Sequence, residues 1–270
     1  MASIQLFAGI PYVAALWAAK ARPTPKLLAG NVKTLSGPAF FLMLTHVGGV
    51  ISFGAGSISF THIIKATEPV MSAILSAALF REFLPVPVYL SLMPIIGGVG
   101  LASLKELSFT WLSFSTAMAS SVASAAKAIL SKKVLDGKPV GENLTAANMY
   151  GVLTMLAFAM IAPLSLMVES PAQIAAAWDA ALKAGHTASS LGKTIAASGA
   201  FYYLYNEVAF LALSEVAPVT HAVGNTIKRV VIILTSVVVF NTPMSGMGAL
   251  GSAIAILGTL MYSLAKSKFK

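Results

Sequence analysis

Nine apolar stretches of membrane-spanning length follow one another along the 270-residue chain. They cover residues 1–19, 35–53, 58–80, 86–104, 109–130, 146–168, 194–213, 217–240 and 246–265. A helix crosses the hydrocarbon core of a bilayer with about 20 predominantly apolar residues. Only 10% of the residues are charged, whereas a soluble domain has about 25%. The sequence therefore predicts an all-α, polytopic membrane protein whose surroundings are a lipid bilayer.

The formal net charge of +9 is compatible with nucleic-acid binding, but no soluble segment interleaves basic residues with polar or aromatic ones. We therefore predict no nucleic-acid partner. A membrane-embedded enzyme needs a nucleophile with a positioned base, or carboxylates around a metal. The chain has no cysteine, and its intramembrane acids are few and scattered. We predict a protein that is not an enzyme and has no cofactor and no metal site.

Two adjacent cations, Lys228 and Arg229, lie in an apolar stretch that contains no acidic residue. Each cation at the centre of a spanning helix costs about 2.5–3.5 kcal/mol on insertion scales. The third stretch adds Lys65 and Glu68, which are three residues apart and share a helix face. Either these two neutralise each other, or Lys65 faces the same cavity as Lys228 and Arg229. Both interpretations leave a surplus of positive charge, so we predict that the compensating partner is an anion that the protein carries.

An internal repeat is suggested by the dipeptide Thr61-His62 and its copy Thr220-His221, which begin similar stretches. The copies are five spans apart, and an odd number of spans reverses the direction of the chain, as in the inverted repeats of secondary transporters. We place the first repeat within 1–133 and the second, with five spans, at 109–270, so that 109–133 belongs to the start of the second. Together they form one transporter domain. The first repeat has one span fewer, so we expect its first helix to be missing from this sequence.

Five segments carry a resemblance to a known family. They read SFTHIIKATEP (59–69), LKELSFTWLSF (104–114), AILSKK (128–133), FYYLYNEVA (201–209) and VAPVTHAVGNTIKRV (216–230). Along essentially the whole chain the sequence resembles the plastid phosphate translocators of the drug/metabolite transporter superfamily. The resemblance implies two inverted five-helix repeats and exchange of inorganic phosphate for phosphorylated compounds of three to six carbons. It also implies a monomer or homodimer in the plastid inner envelope.

The resemblance places the family's phosphate site on particular residues of this chain: Lys65, Lys228, Arg229, His46 and Tyr205. Lys127 stands where members commonly have arginine. Two positions depart from the family: Gly49 replaces a threonine of many members, and Ser124 replaces an aromatic residue. We expect both departures to lie on the organic half of the ligand, which leaves the preferred sugar phosphate open.

Two alternatives remain beside this phosphate antiporter. One is a nucleotide-sugar exchanger of the Golgi or endoplasmic reticulum membrane, which would need a larger pocket for the nucleoside. The other is a truncated paralogue that does not transport.

Overall fold

The computed structural model describes residues 1–104, 106–137, 140–215, 218–241 and 244–269. These residues form helices joined by short loops, so the predicted all-α fold is confirmed. The helices are α1 (Ala2–Ala18), α2 (Ala29–Ala55), α3 (Ile58–Ile64), α4 (Glu68–Phe80), α5 (Val86–Leu90), α6 (Met93–Leu104), α7 (Trp111–Asp136), α8 (Ala146–Val168), α9 (Pro171–Lys183), α10 (Ala188–Glu215), α11 (Pro218–Val239) and α12 (Gly246–Lys268).

Five helical segments among the described residues are long and apolar enough to cross a membrane: Ala29–Ala55, Ile58–Phe80, Val86–Leu104, Ala146–Val168 and Gly246–Lys268. Helix α1 is apolar but shorter. The protein is therefore an integral membrane protein. Helices α7, α10 and α11 have 26, 28 and 22 residues, enough for a crossing, but their compositions are more polar. Membrane crossing by these three helices stays a prediction.

Side-chain caps define where several helices begin. Ser57, Thr145 and Ser245 each accept a hydrogen bond from a backbone amide in the first turn of α3, α8 and α12. Ser170 does the same for α9, and the Ser170 amide in turn donates to the side-chain oxygen of Gln173. Each such cap stabilises its helix by about 1 kcal/mol. Polar residues at the ends of apolar runs therefore determine the helix starts.

The described chain divides into two compact units. The first unit contains residues Met1–Met43 and Lys132–Ser214. Its helix α1 packs on α8, and the buried rings of Tyr150 and Tyr203 lie 5.2 Å apart. Arg22, in the loop after α1, donates to Glu207 of α10 at 2.5 Å. Burial has the largest single effect and lowers the pKa of Arg22, but the hydrogen bond to Glu207 and the negative charge of that carboxylate together raise the pKa overall.

The second unit contains residues Leu44–Ser131 and Glu215–Lys270. Helix α12 packs along α6, and α11 packs on both α12 and α3. Phe60, Ile64, Ile95 and Ile233 are among the buried residues of its core. Because α3 and α11 are in contact, the residues at the end of α3 lie beside the middle of α11. This arrangement positions the candidate site.

Candidate functional site

The site is built on a break in the helix that runs from Ile58 to Phe80. Residues Lys65–Thr67 form a single 3-10 turn between α3 and α4, and the Glu68 amide donates to the Lys65 carbonyl. Pro69 follows in the first turn of α4. Proline has no amide hydrogen, so it cannot continue the α-helical hydrogen bonds across this junction. In a 3-10 turn, residues three apart are eclipsed, which places Lys65 and Glu68 on one face.

Arg229 reaches this break from α11. Its Nη2 lies 3.4 Å from Oε2 of Glu68, and its Nη1 donates to the His62 carbonyl at 3.4 Å. The Arg229 side chain is 12% exposed, and that of Glu68 is 32% exposed. The guanidinium therefore connects α11 both to the end of α3 and to the start of α4.

Helix α7 supplies a third contact. The buried Ser124 donates its hydroxyl to Oε1 of Glu68 at 2.8 Å. Both oxygens of Glu68 are thus engaged, one by Ser124 and the other by Arg229. In the structure the hydroxyl of Ser124 contacts this carboxylate, and its expected place on the organic half of a ligand stays a prediction.

Four cations surround the one acid. Lys65 interacts electrostatically with Glu68, Arg229, Lys127 and Lys228. Glu68 in turn interacts with Arg229, Lys127 and Lys228. Lys127 comes from α7, and both it and Lys228 are partly buried. With all five groups ionised, four positive charges face one negative charge, so the cluster favours a small anion with more than one negative charge.

Helix α2 closes this cluster beside Lys65. A Cβ atom at Gly49 would lie 3.3 Å from Nζ of Lys65 and 3.8 Å from Oγ of Ser120. The ammonium group therefore lies against the backbone of α2 where the chain has no side chain. His46, one turn earlier on the same helix, is 8% exposed. Gly49 thus lies at the cationic part of the cluster.

The predicted site residues divide between the two units. Lys65, Lys127, Lys228, Arg229, His46, Gly49 and Ser124 all belong to the second unit. Tyr205 belongs to α10 of the first unit, where it is 47% exposed. Val216 and Ala217, which open the last family motif, lie outside the described residues, and so do the side chains of Thr220 and His221.

Comparison with known proteins identifies the family to which the chain belongs. The model of the Triose-phosphate Transporter family matches residues 1–263. The chain belongs to this family. It is 39% identical over 270 residues to a xylulose 5-phosphate/phosphate translocator of Arabidopsis thaliana, covering 100% of this chain and 64% of that protein.

Two further relatives show a comparable degree of similarity to this chain. A glucose-6-phosphate/phosphate translocator 2 of Arabidopsis thaliana is 39% identical over 254 residues, which are 93% of this chain and 63% of the relative. A triose phosphate/phosphate translocator of Spinacia oleracea is 36% identical over 268 residues, which are 99% of this chain and 64% of the relative. The chain thus spans a little under two thirds of the length of these relatives.

The cations of this family member are evident in its sequence, whereas the partners of its acids are visible only in the structure. Glu68 stood out as a lone acid three residues after Lys65, yet its contacts with Arg229 and Ser124 needed the structure. Glu207, a second acid in an apolar helix, pairs with Arg22 and accepts from Tyr203 at 3.4 Å. A lone acid in an apolar helix was the signal in both cases, because such an acid requires a polar partner.

Proposed function

We propose that this protein is a secondary antiporter that exchanges inorganic phosphate for phosphorylated sugars across a membrane. The observation that carries the proposal is the cluster of Lys65, Lys127, Lys228 and Arg229 around Glu68, within helices of an integral membrane protein. Intramembrane charges are costly and usually line the path of a substrate. The phosphate group is the chemical feature shared by the molecules named for the relatives, and it is a dianion suited to such a cluster.

Arg229 and the lysines would hold phosphate in different ways. The planar fork of a guanidinium binds two phosphate oxygens at once, whereas an ammonium group acts as a compact point charge. Arg229 would therefore orient the phosphate group, and Lys65 and Lys228 would neutralise it. The plastid inner envelope is the proposed location, which the chloroplastic names of the relatives support. Substrates would be phosphorylated compounds of three to six carbons, carried by a monomer or homodimer.

Transport by the purified chain in liposomes tests this function. In liposomes preloaded with phosphate, we expect saturable uptake of labelled phosphate that xylulose 5-phosphate, glucose 6-phosphate or triose phosphate inhibits. Lys65→Ala and Arg229→Ala should each lower uptake by at least about tenfold, because each removes a charge-assisted hydrogen bond. Arg229→Lys should also be impaired, since a point charge cannot reproduce bidentate contact.

Lys132→Ala serves as the matched control, because Lys132 lies on the exposed end of α7 and pairs there with Asp136 at 3.2 Å. This variant should transport like the wild type. Near-normal phosphate exchange by both Lys65→Ala and Arg229→Ala would show that this cluster is not the phosphate-binding site. If a nucleotide sugar is taken up in preference to every small phosphate ester, the protein is a nucleotide-sugar exchanger and the proposed substrate class is wrong.

A further inference from the structure

An acid at the centre of an anion site needs a reason. Glu68 carries the same sign of charge as phosphate, and it lies among the cations that would bind phosphate. Like charges repel more strongly inside a protein than in water. An uncharged residue at this position would therefore favour phosphate binding, unless weaker binding is itself useful.

Glu68 and a phosphate group would compete for the same donor. Nη2 of Arg229 lies 3.4 Å from Oε2 of Glu68, so the carboxylate occupies one arm of the guanidinium fork. Carboxylate and phosphate oxygens bind this fork in the same bidentate manner. A phosphate that takes both arms must displace the carboxylate from Arg229.

Ser124 keeps the carboxylate in that competing position. Its hydroxyl donates to Oε1 at 2.8 Å and leaves Oε2 directed to Arg229. Ser124 is 8% exposed, so the packing of α7 restricts its rotation. The hydroxyl can also hold Glu68 after Arg229 has turned to a bound phosphate, since this bond does not involve the guanidinium.

We propose that Glu68 is the resident counter-anion of the site, that Ser124 positions it, and that bound phosphate displaces it from Arg229. This inference rests on the proposed function of phosphate exchange. Pairing with Glu68 stabilises the empty site and thereby weakens phosphate binding. A site that passes its substrate on must bind it tightly enough for entry and weakly enough for release, as in ion channels. Glu68 sets that balance.

The test compares binding and turnover in Glu68→Gln, which keeps the shape of the side chain and removes its charge. Binding of labelled phosphate to the purified full chain in detergent should become tighter by about fivefold, the upper range for a partly exposed ion pair. The maximal rate of phosphate–phosphate exchange in liposomes should fall, because release is slower. A structural role alone would lower the rate without tightening binding.

Ser124→Ala provides a second, independent variant. It should tighten phosphate binding in the same direction but by less, because Glu68 keeps its charge and loses only its positioning. Ser124→Thr retains the hydroxyl and should restore wild-type binding. Ser121→Ala is the matched control, since Ser121 is also buried on α7. If Glu68→Gln does not accumulate in the membrane, phosphate binding by Ser124→Ala and Ser124→Thr tests the role of Glu68.

The outcomes separate this inference from the proposed function. Absence of phosphate exchange by the wild-type protein would overturn the function itself. Exchange by the wild type together with unchanged or weaker phosphate binding in both Glu68→Gln and Ser124→Ala would overturn only the role of Glu68. Tighter binding with a lower maximal rate supports both.

Discussion

At the scale of single residues, Gly49 controls the space available to the ammonium group of Lys65. A Cβ atom there would lie 3.3 Å from Nζ, so a larger side chain must push the lysine away. We expect Gly49→Val to raise the KM for phosphate by about tenfold, the cost of one charge-assisted hydrogen bond. Gly54→Val on the same helix is the control, because a Cβ atom at Gly54 meets no atom within 4 Å. Equal KM values in concentration series of both variants would show that Lys65 does not depend on this space.

The same scale shows what the sequence could reveal about the site. Cations in an apolar sequence are conspicuous, because each must be compensated, and Lys65, Lys228 and Arg229 could therefore be singled out. The contact of Ser124 with Glu68 could not be predicted from the sequence. Helix α7 buries several serines, and sequence alone does not distinguish the one that faces an acid from those that face a helix backbone. The three-dimensional packing of α7 makes that distinction.

At the scale of helices, α6 and α12 pack backbone against backbone through two glycines. A Cβ atom at Gly98 would lie 2.6 Å from the Gly251 carbonyl oxygen, and one at Gly251 would lie 2.6 Å from the Gly98 carbonyl oxygen. Glycine permits this approach in membranes because small residues bring helices close together. We expect Gly98→Ala to destabilise the protein by about 1–3 kcal/mol through overpacking. A lower midpoint of thermal unfolding in detergent would report it.

Gly97→Ala separates packing from helix propensity in this experiment. A Cβ atom at Gly97, next along the same helix, meets no atom within 4 Å. Alanine is favoured over glycine in a helix by about 0.8–1.0 kcal/mol, so Gly97→Ala should unfold at the wild-type temperature or above it. If the midpoint of thermal unfolding decreases similarly in Gly98→Ala and Gly97→Ala, the destabilisation does not come from the contact with α12.

The helices also show which boundaries hydropathy can predict. The predicted stretches 58–80, 86–104 and 146–168 coincide with the bounds of apolar helical segments in the structure. Helices α2, α7 and α10 extend beyond their predicted stretches, because helical hydrogen bonding continues into polar ends that hydropathy does not mark. Hydropathy also did not predict the 3-10 turn at Lys65–Thr67, although Pro69 was a local signal for an interrupted helix.

At the scale of the whole molecule, the helix bounds support the proposed repeat. The residues Thr61 and Thr220 are 159 positions apart, and the same shift moves the start of α2 onto the start of α10. It also moves the end of α4, at Phe80, onto the end of α11, at Val239. His46 falls on Tyr205, so the two residues that the family resemblance assigned outside the cationic motifs occupy equivalent positions. The inverted repeat and its assignment to 1–133 and 109–270 remain a proposal.

The charge of the whole site leads to a prediction about the mode of transport. Four cations against one acid leave a positive surplus when no phosphate is bound. Exposing such a surplus to the apolar phase is costly, at about 2.5–3.5 kcal/mol for each charge at a helix centre. A bound phosphate dianion offsets most of it, so the loaded protein should change conformation far more readily than the empty one. Exchange would then be obligatory.

Liposomes with and without internal substrate distinguish obligatory exchange from one-way transport. We expect labelled phosphate to enter proteoliposomes that contain phosphate or a sugar phosphate, and to remain at the background of protein-free liposomes when the interior holds only sulfate-free, phosphate-free buffer. Preloading with a neutral sugar is the control, because it supplies the carbon skeleton without the charge. Uptake into empty proteoliposomes at the rate of preloaded ones would contradict obligatory exchange, since the positive surplus would then not restrain the empty protein.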